Sequence, residues 1–179
     1  EKEIYEQSVV VSDCMLGRVK DSEINFDEID SKILDGINEI KICACGTSYH
    51  AGLASSYLFE RLSKIKCSIE VAREFRYKEP LLTKDTLFVV ISQSGETADT
   101  LEALKMAKKA GLKTLVICNV DNSSMTRVAD FTILTRAGIE KGVASTKAFT
   151  TQTVVLWMLS LYFAQIKETI SKEKLENEV

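Results

Sequence analysis

Leu87-Phe88-Val89-Val90-Ile91 constrains the fold more than any other stretch of this chain: five apolar residues run in succession, with no polar residue at alternate positions. A strand with one wet face alternates, so an unbroken run points to a strand covered on both faces, the usual state of a central strand in a parallel sheet. The polar turn Ser92-Gln93-Ser94-Gly95 follows. Leu101, Leu104 and Ala107 then recur near helical spacing up to Gly111, a good C-terminal stop.

Similar units stand on either side. Ile42-Cys43-Ala44-Cys45 is a short apolar run stopped by Gly46, and Ala51, Ala54, Leu58 and Leu62 place a helix over Ser48 to Lys64. Cys67 to Ala72 alternates as a second strand, and Pro80, the sole proline, ends any helix before it. Thr114 to Cys118 reads as a fourth strand, Ser123-Ser124 as the cap of a short helix through Ala129, and Phe131 to Leu134 as a fifth strand. A loop with Gly138 and Gly142 leads to a last helix, roughly Ser145 to Lys167.

Strands alternating with helices imply right-handed crossovers and a parallel sheet with helices on both faces. Five strands in 179 residues suit an α/β, doubly wound sheet of order 2-1-3-4-5. Residues 1–38 read as a helical, poorly periodic lead-in rather than core, 39–167 as the domain, and 168–179 as a charged end that frays. The chain opens without Met inside a helical pattern, which suggests a domain cut from something longer.

Charge and composition exclude several functions. The net charge is -3, and Lys and Arg are scattered rather than striped, so neither nucleic acid nor an anionic membrane is an expected partner. The longest apolar run, Val154 to Ala164, is interrupted by Ser160 and falls short of the ~20 residues that span a bilayer. Glu1-Lys2-Glu3 has the wrong charge for a signal peptide, so the five cysteines are expected as reduced thiols in a cytoplasmic protein. Cys43-x-Cys45 fits an alternating pair in a strand better than a metal pair, since no second Cys/His pair completes a site and His50 is the only histidine. Neither G-x-G-x-x-G nor G-x-x-x-x-G-K-[ST] occurs, which argues against a dinucleotide or a P-loop nucleotide. No cofactor and no metal are expected.

In the order 2-1-3-4-5 the ligand crevice lies between strands 1 and 3, beyond their carboxyl ends. Gly46-Thr47-Ser48 follows strand 1, and Ser92-Gln93-Ser94-Gly95-Glu96-Thr97 follows strand 3. Both loops run into helix N-termini, which offer free N–H groups and partial positive charge. Hydroxyls of Ser92, Ser94 and Thr97 add donors, and Gly95 lets the backbone approach a ligand. Either loop alone is equally an N-cap, with Ser94 or Thr47 as the capping residue. Two such loops at one switch point favour a phosphate or a similar anion.

The segment Ser92 to Thr100 resembles the SIS phosphosugar-binding domain, in the form found in isomerising glutamine–fructose-6-phosphate transaminases. Cys45-Gly46-Thr47-Ser48-Tyr49, Glu74-Phe75-Arg76-Tyr77 and Gly142 to Gln152 resemble three further stretches of that family in the same order. The likeness covers about Glu3 to Lys167, and it implies a flavodoxin-like fold.

The resemblance implies that Ser92, Gln93, Ser94 and Thr97 hold the phosphate of a hexose 6-phosphate. It implies that Thr47 lies near the sugar hydroxyls with Ser48 beside it, and that Val143, through its backbone, and Ser145 line the sugar. The family makes glucosamine 6-phosphate from fructose 6-phosphate and glutamine. It uses a glutaminase part and a second SIS domain, neither of which this chain resembles, so no catalytic residue is expected here. Lys147 is read as a solvated or paired lysine rather than a Schiff-base former, and His50 as a packing or surface residue. A homodimer is expected, from the resemblance and from a last helix apolar nearly all round, with that helix or Glu74-Phe75-Arg76-Tyr77 near the contact. A phosphosugar-sensing regulator and a stand-alone sugar-phosphate isomerase are the alternatives. The first would want a basic helix-turn-helix, and the second its own acid and base.

Overall fold

The computed structural model describes residues 2–140 and 145–179. Five parallel strands form the central sheet: β3 (Glu39–Ala44), β4 (Lys66–Val71), β5 (Thr86–Ser92), β6 (Lys113–Cys118) and β7 (Phe131–Leu134). Their order is β4-β3-β5-β6-β7. This is the doubly wound 2-1-3-4-5 arrangement, with the reversal between β3 and β5. Ala44 is in register with Ile91 across that reversal, so the two strands end side by side.

Alternation of side chains along each strand divides the interior into two layers. Ile42 and Ala44, Leu87, Val89 and Ile91, and Leu115 and Ile117 face one layer. Cys43, Phe88, Val90, Val116 and Cys118 face the other. The first layer packs on α3 (Gly46–Leu58), extended by a π turn over Phe59–Ser63, and on α7 (Lys147–Ile166). The second packs on α4 (Ala72–Phe75), α5 (Ala98–Lys109) and α6 (Ser124–Val128). The uninterrupted run over residues 87–91 serves both layers at once. On α3, Gly52 lets the helix lie directly on the sheet, because a Cβ there would stand 2.5 Å from Ile69 Cδ1.

The first 38 residues differ from the expected helical lead-in. Helices occupy only α1 (Lys2–Tyr5) and α2 (Gln7–Met15). A two-strand hairpin of β1 (Val19–Lys20) and β2 (Glu23–Ile24) and a 3₁₀ turn over Ser31–Leu34 follow. Cys14, Ile24, Phe26, Ile29, Ile33 and Ile37 are buried in the first layer, so this segment is core. It covers α7. Gln165 accepts from the Ile24 N–H (2.8 Å) and donates to the Ile24 carbonyl (3.0 Å), and Phe26 meets Tyr162 edge to face. The apolar circumference of α7 is thereby spent inside the chain rather than left open.

The C-terminal end also differs. Residues Lys172–Glu178 form α8, capped by the Ser171 hydroxyl, which accepts from the Lys174 N–H. Its one apolar residue, Leu175, is buried in the first layer. All five cysteines are free thiols. Cys43 lies in β3 as expected, but Cys45 has left the strand and stands at the N-cap of α3. Burial pushes the Cys43 thiol up to about 12. Among the described residues no helix is long and apolar enough to cross a membrane, and no group of His, Cys, Asp and Glu is placed to hold a metal.

Candidate functional site

The loop after β5 folds on itself through its hydroxyls. Ser92, buried at the end of β5, accepts from the Gly95 N–H at 3.1 Å, and its Oγ lies 3.0 Å from Thr97 Oγ1. Ser94 Oγ accepts from the Glu96 N–H at 3.2 Å. A hydroxyl that accepts in this way keeps its own proton to donate. Thr97 is the N-cap of α5 by position but makes no capping bond with its side chain. Its carbonyl takes the first intrahelical bond, from Leu101, which leaves the N–H groups of the first turn of α5 without helical partners.

The loop after β6 fixes this turn from outside. The Asn119 N–H donates to the Gln93 carbonyl (3.0 Å) and the Met125 N–H to the Gly95 carbonyl (3.1 Å). Gly95 has φ +68, and a Cβ on it would come within 2.6 Å of Ser123 Cβ. Only glycine meets both demands. Glu96 does not cap its own helix. Its carboxylate accepts from the Ser124 N–H (2.7 Å) at the start of α6, and the hydrogen bonds from Ser124 hold its pKa below the ordinary carboxylate value. The anion is thus used in a structural bond from the start of α5 to the start of α6.

The other expected residues fall around the same end of the sheet. Thr47 and Ser48 occupy the first turn of α3, Thr47 exposed and Ser48 half-buried. Adjacent β3 and β5 bring this turn beside the Ser92 loop. Neither Thr47 nor Ser94 is the helix cap that the sequence also allowed, since Cys45 and Thr97 stand at those positions. Ser145 is half-buried just before α7 and donates to Glu140 Oε2 at 3.4 Å. Val143 lies outside the described residues. Gln93 lines a cleft of about 620 Å³ together with Asn119, Asp121, Arg136, Gly138 and Glu140. Other hollows lie elsewhere, one against Lys113 and Asp130 near the opposite ends of the strands, far from these hydroxyls.

Lys147 is buried and paired, with Nζ 2.8 Å from Glu6 of the helical segment before α2. His50 is exposed on α3, edge-on to Tyr49. Arg76, from the segment after β4, binds Asp99 in the first turn of α5 at 2.8 Å, which ties that segment to the helix that follows the Ser92–Thr97 turn. Asn119 and Glu140 were not singled out from sequence. Asn119 could have been found as the first polar residue after the fourth strand, beside the switch point. Glu140 carries no local signal, because its partners lie across a loop.

Known proteins share the sequence and fold of this chain. The SIS domain profile matches residues 33–162. A glutamine–fructose-6-phosphate aminotransferase (isomerizing) from Campylobacter jejuni is 62% identical over 165 residues, 92% of this chain and 28% of that protein. The Helicobacter pylori enzyme of the same name is 52% identical, over 97% of this chain and 29% of its own length. The chain therefore spans less than a third of these relatives. The solved C-terminal domain of glucosamine-fructose-6-phosphate aminotransferase from Francisella tularensis superposes with a TM-score of 0.94 at 45% identity, covering 98% of this chain and 50% of that one. With a matching profile over most of its length, the strand order of the fold and a hydroxyl-rich turn at the switch point, the chain belongs to the SIS domain family.

Proposed function

We propose that this chain is the hexose 6-phosphate-binding part of a glutamine–fructose-6-phosphate aminotransferase, and that it binds substrate without completing the reaction. The turn Ser92–Thr97 carries this reading. Its hydroxyls are pre-set by bonds inside the turn, and the free N–H groups of α5 lie next to them. A phosphate dianion suits neutral donors at a helix N-terminus. The loop holds no lysine or arginine, so the affinity rests on those donors. Thr47, Ser48, Ser145 and Val143 would meet the sugar. The glutaminase, and a second SIS domain that pairs with this one, belong to the rest of such an enzyme. A cytoplasmic location and a homodimer fit that assignment.

Calorimetric titration tests it. Fructose 6-phosphate should bind the chain, and free fructose should bind far more weakly. Ser94→Ala should cost ~1.5–3 kcal/mol, the worth of a hydrogen bond to a charged group. A Ser94→Ala variant that binds as tightly as the parent would overturn the placement of the phosphate.

A further inference from the structure

Asn119 connects two loops that would meet opposite ends of a sugar phosphate. It directly follows β6, between the loop after β5 and the loop after β7. Its main-chain N–H holds the Gln93 carbonyl at 3.0 Å, inside the phosphate turn. Its side chain turns the other way. Oδ1 accepts from Thr135 Oγ1 (3.1 Å) and from the Ala137 N–H (2.7 Å), and Nδ2 donates to the Gly138 carbonyl (2.6 Å). Two donors and one acceptor fix which way round the amide lies. Thr135 and Ala137 are buried, Asn119 is half-buried, and the bond to Gly138 lies at the exposed edge of the cleft.

The loop so held leads directly to the sugar side. Two residues beyond Gly138, Glu140 accepts from the Thr146 N–H at 2.7 Å and from the Ser145 hydroxyl at 3.4 Å. The route from the phosphate turn to Ser145 thus runs Gln93, Asn119, Gly138, Glu140, Ser145. Gln93, Asn119, Gly138 and Glu140 line one cleft.

We propose that Asn119 is a positioning residue for hexose phosphate recognition: its amide sets the distance between the Ser92–Thr97 phosphate turn and the Ser145 side of the site. This rests on the phosphate reading above, and adds to it the part that discriminates a sugar phosphate from phosphate alone. No other side chain meets the demand in the same place. Aspartate has no donor for Gly138, serine does not reach, and alanine leaves three polar groups without their partner.

The test separates the two ends of the ligand. In Asn119→Ala the main-chain bond to Gln93 is retained, so inorganic phosphate should bind within about twofold of the parent. Fructose 6-phosphate should bind roughly tenfold more weakly, the equivalent of one well-made hydrogen bond. Amide exchange at Ala137, whose N–H loses its acceptor, should rise at least roughly fivefold. Thr135→Val removes one bond at constant volume and should move fructose 6-phosphate affinity the same way by less. Equal weakening of phosphate and fructose 6-phosphate, or an Asn119→Ala variant matching the parent for both, would overturn the proposal while leaving phosphate binding at the Ser94 turn standing. A parent that binds neither ligand would overturn both readings, which distinguishes that outcome.

Discussion

Gly95 rests against Ser123 so closely that a Cβ on the glycine would come within 2.6 Å of the serine Cβ, and nearer still to its hydroxyl. The contact presses the Ser92–Thr97 turn onto the start of α6, where Glu96 also binds Ser124. Gly95→Ala should therefore fail twice, by the clash and by φ +68. The left-handed backbone costs ~1–2 kcal/mol, and overpacking ~1–3 kcal/mol. Urea unfolding of Gly95→Ala should show a loss of about 2–5 kcal/mol. Adding Ser123→Gly should restore the overpacking share but not the backbone share, because the two residues touch and their effects are not additive. Full recovery in the double variant would show that φ is unimportant there.

The sheet and the hydroxyl-rich turn after β5 were legible in sequence because both are local. Leu87–Ile91 declares itself by being apolar throughout, and Ser92–Gly95 by following it. The first 38 residues were not legible, since their structure depends on a distant partner. The β1–β2 hairpin turns at Asp21 and Ser22, both at positive φ, without the glycine that usually marks such a turn. Phe26, Ile29, Ile33 and Ile37 recur at helical spacing, yet the chain is helical there only as a 3₁₀ turn over Ser31–Leu34, because these side chains fill the first core layer rather than form one helix face. At the candidate site, a reading of residue types selects Ser92 and Ser94 but passes over Asn119, whose hydrogen bonds depend on the positions of Ala137 and Gly138.

Stability should decline in acid through Glu96 and its peers. Hydrogen bonds from Ser124 hold the folded pKa of Glu96 below the ordinary 4.5. A carboxylate depressed in the folded state contributes stability that is present above its unfolded pKa and is lost as pH falls through the folded value. The parent's unfolding midpoint should fall as pH drops below 4.5. Glu96→Gln still accepts from the Ser124 N–H but does not titrate, so its midpoint should fall less steeply. Glu6 and Asp85 shift in the same direction and keep some slope in both proteins. Parallel curves for parent and variant would remove Glu96 from the account.

Association is expected through a surface other than α7. Val155, Leu156, Met158, Leu159, Leu161 and Phe163 are buried within the chain, so that helix offers no broad open patch. Tyr77 is 75% exposed and Leu81 89% exposed, and Tyr77 lies beneath the Arg76 guanidinium. A homodimer with Glu74–Tyr77 near the contact is the expected species by sedimentation at tens of micromolar. Tyr77→Glu should raise the dissociation constant at least roughly tenfold, as loss of a buried aromatic anchor does. A monomeric parent at that concentration would overturn the expectation.

The chain alone should bind fructose 6-phosphate and leave it unchanged. Ketose-to-aldose isomerisation takes a proton from C1 and delivers one near C2, and a positioned acid or base contributes ~10²–10⁴-fold. Glu96 lies within the Ser92–Thr97 turn, but its depressed pKa makes it a poor base and its carboxylate is engaged by Ser124. Glu140 is engaged by Thr146 and Ser145. His50 is exposed on α3 and meets Tyr49 edge-on. The buried Lys147 amine is held by Glu6 rather than presented to a carbonyl carbon. Glucose 6-phosphate should therefore not accumulate above background from fructose 6-phosphate. Glucosamine 6-phosphate should not form with glutamine or with ammonia. The assay needs protein freed of host phosphoglucose isomerase, and the Ser94→Ala variant, purified in parallel, reports any contaminant. Turnover that is equal in the parent and in Ser94→Ala at a limiting substrate concentration is contamination. Turnover confined to the parent and abolished by Glu96→Gln would make a stand-alone isomerase the better reading, with Glu96 rather than a residue beyond the chain as its base.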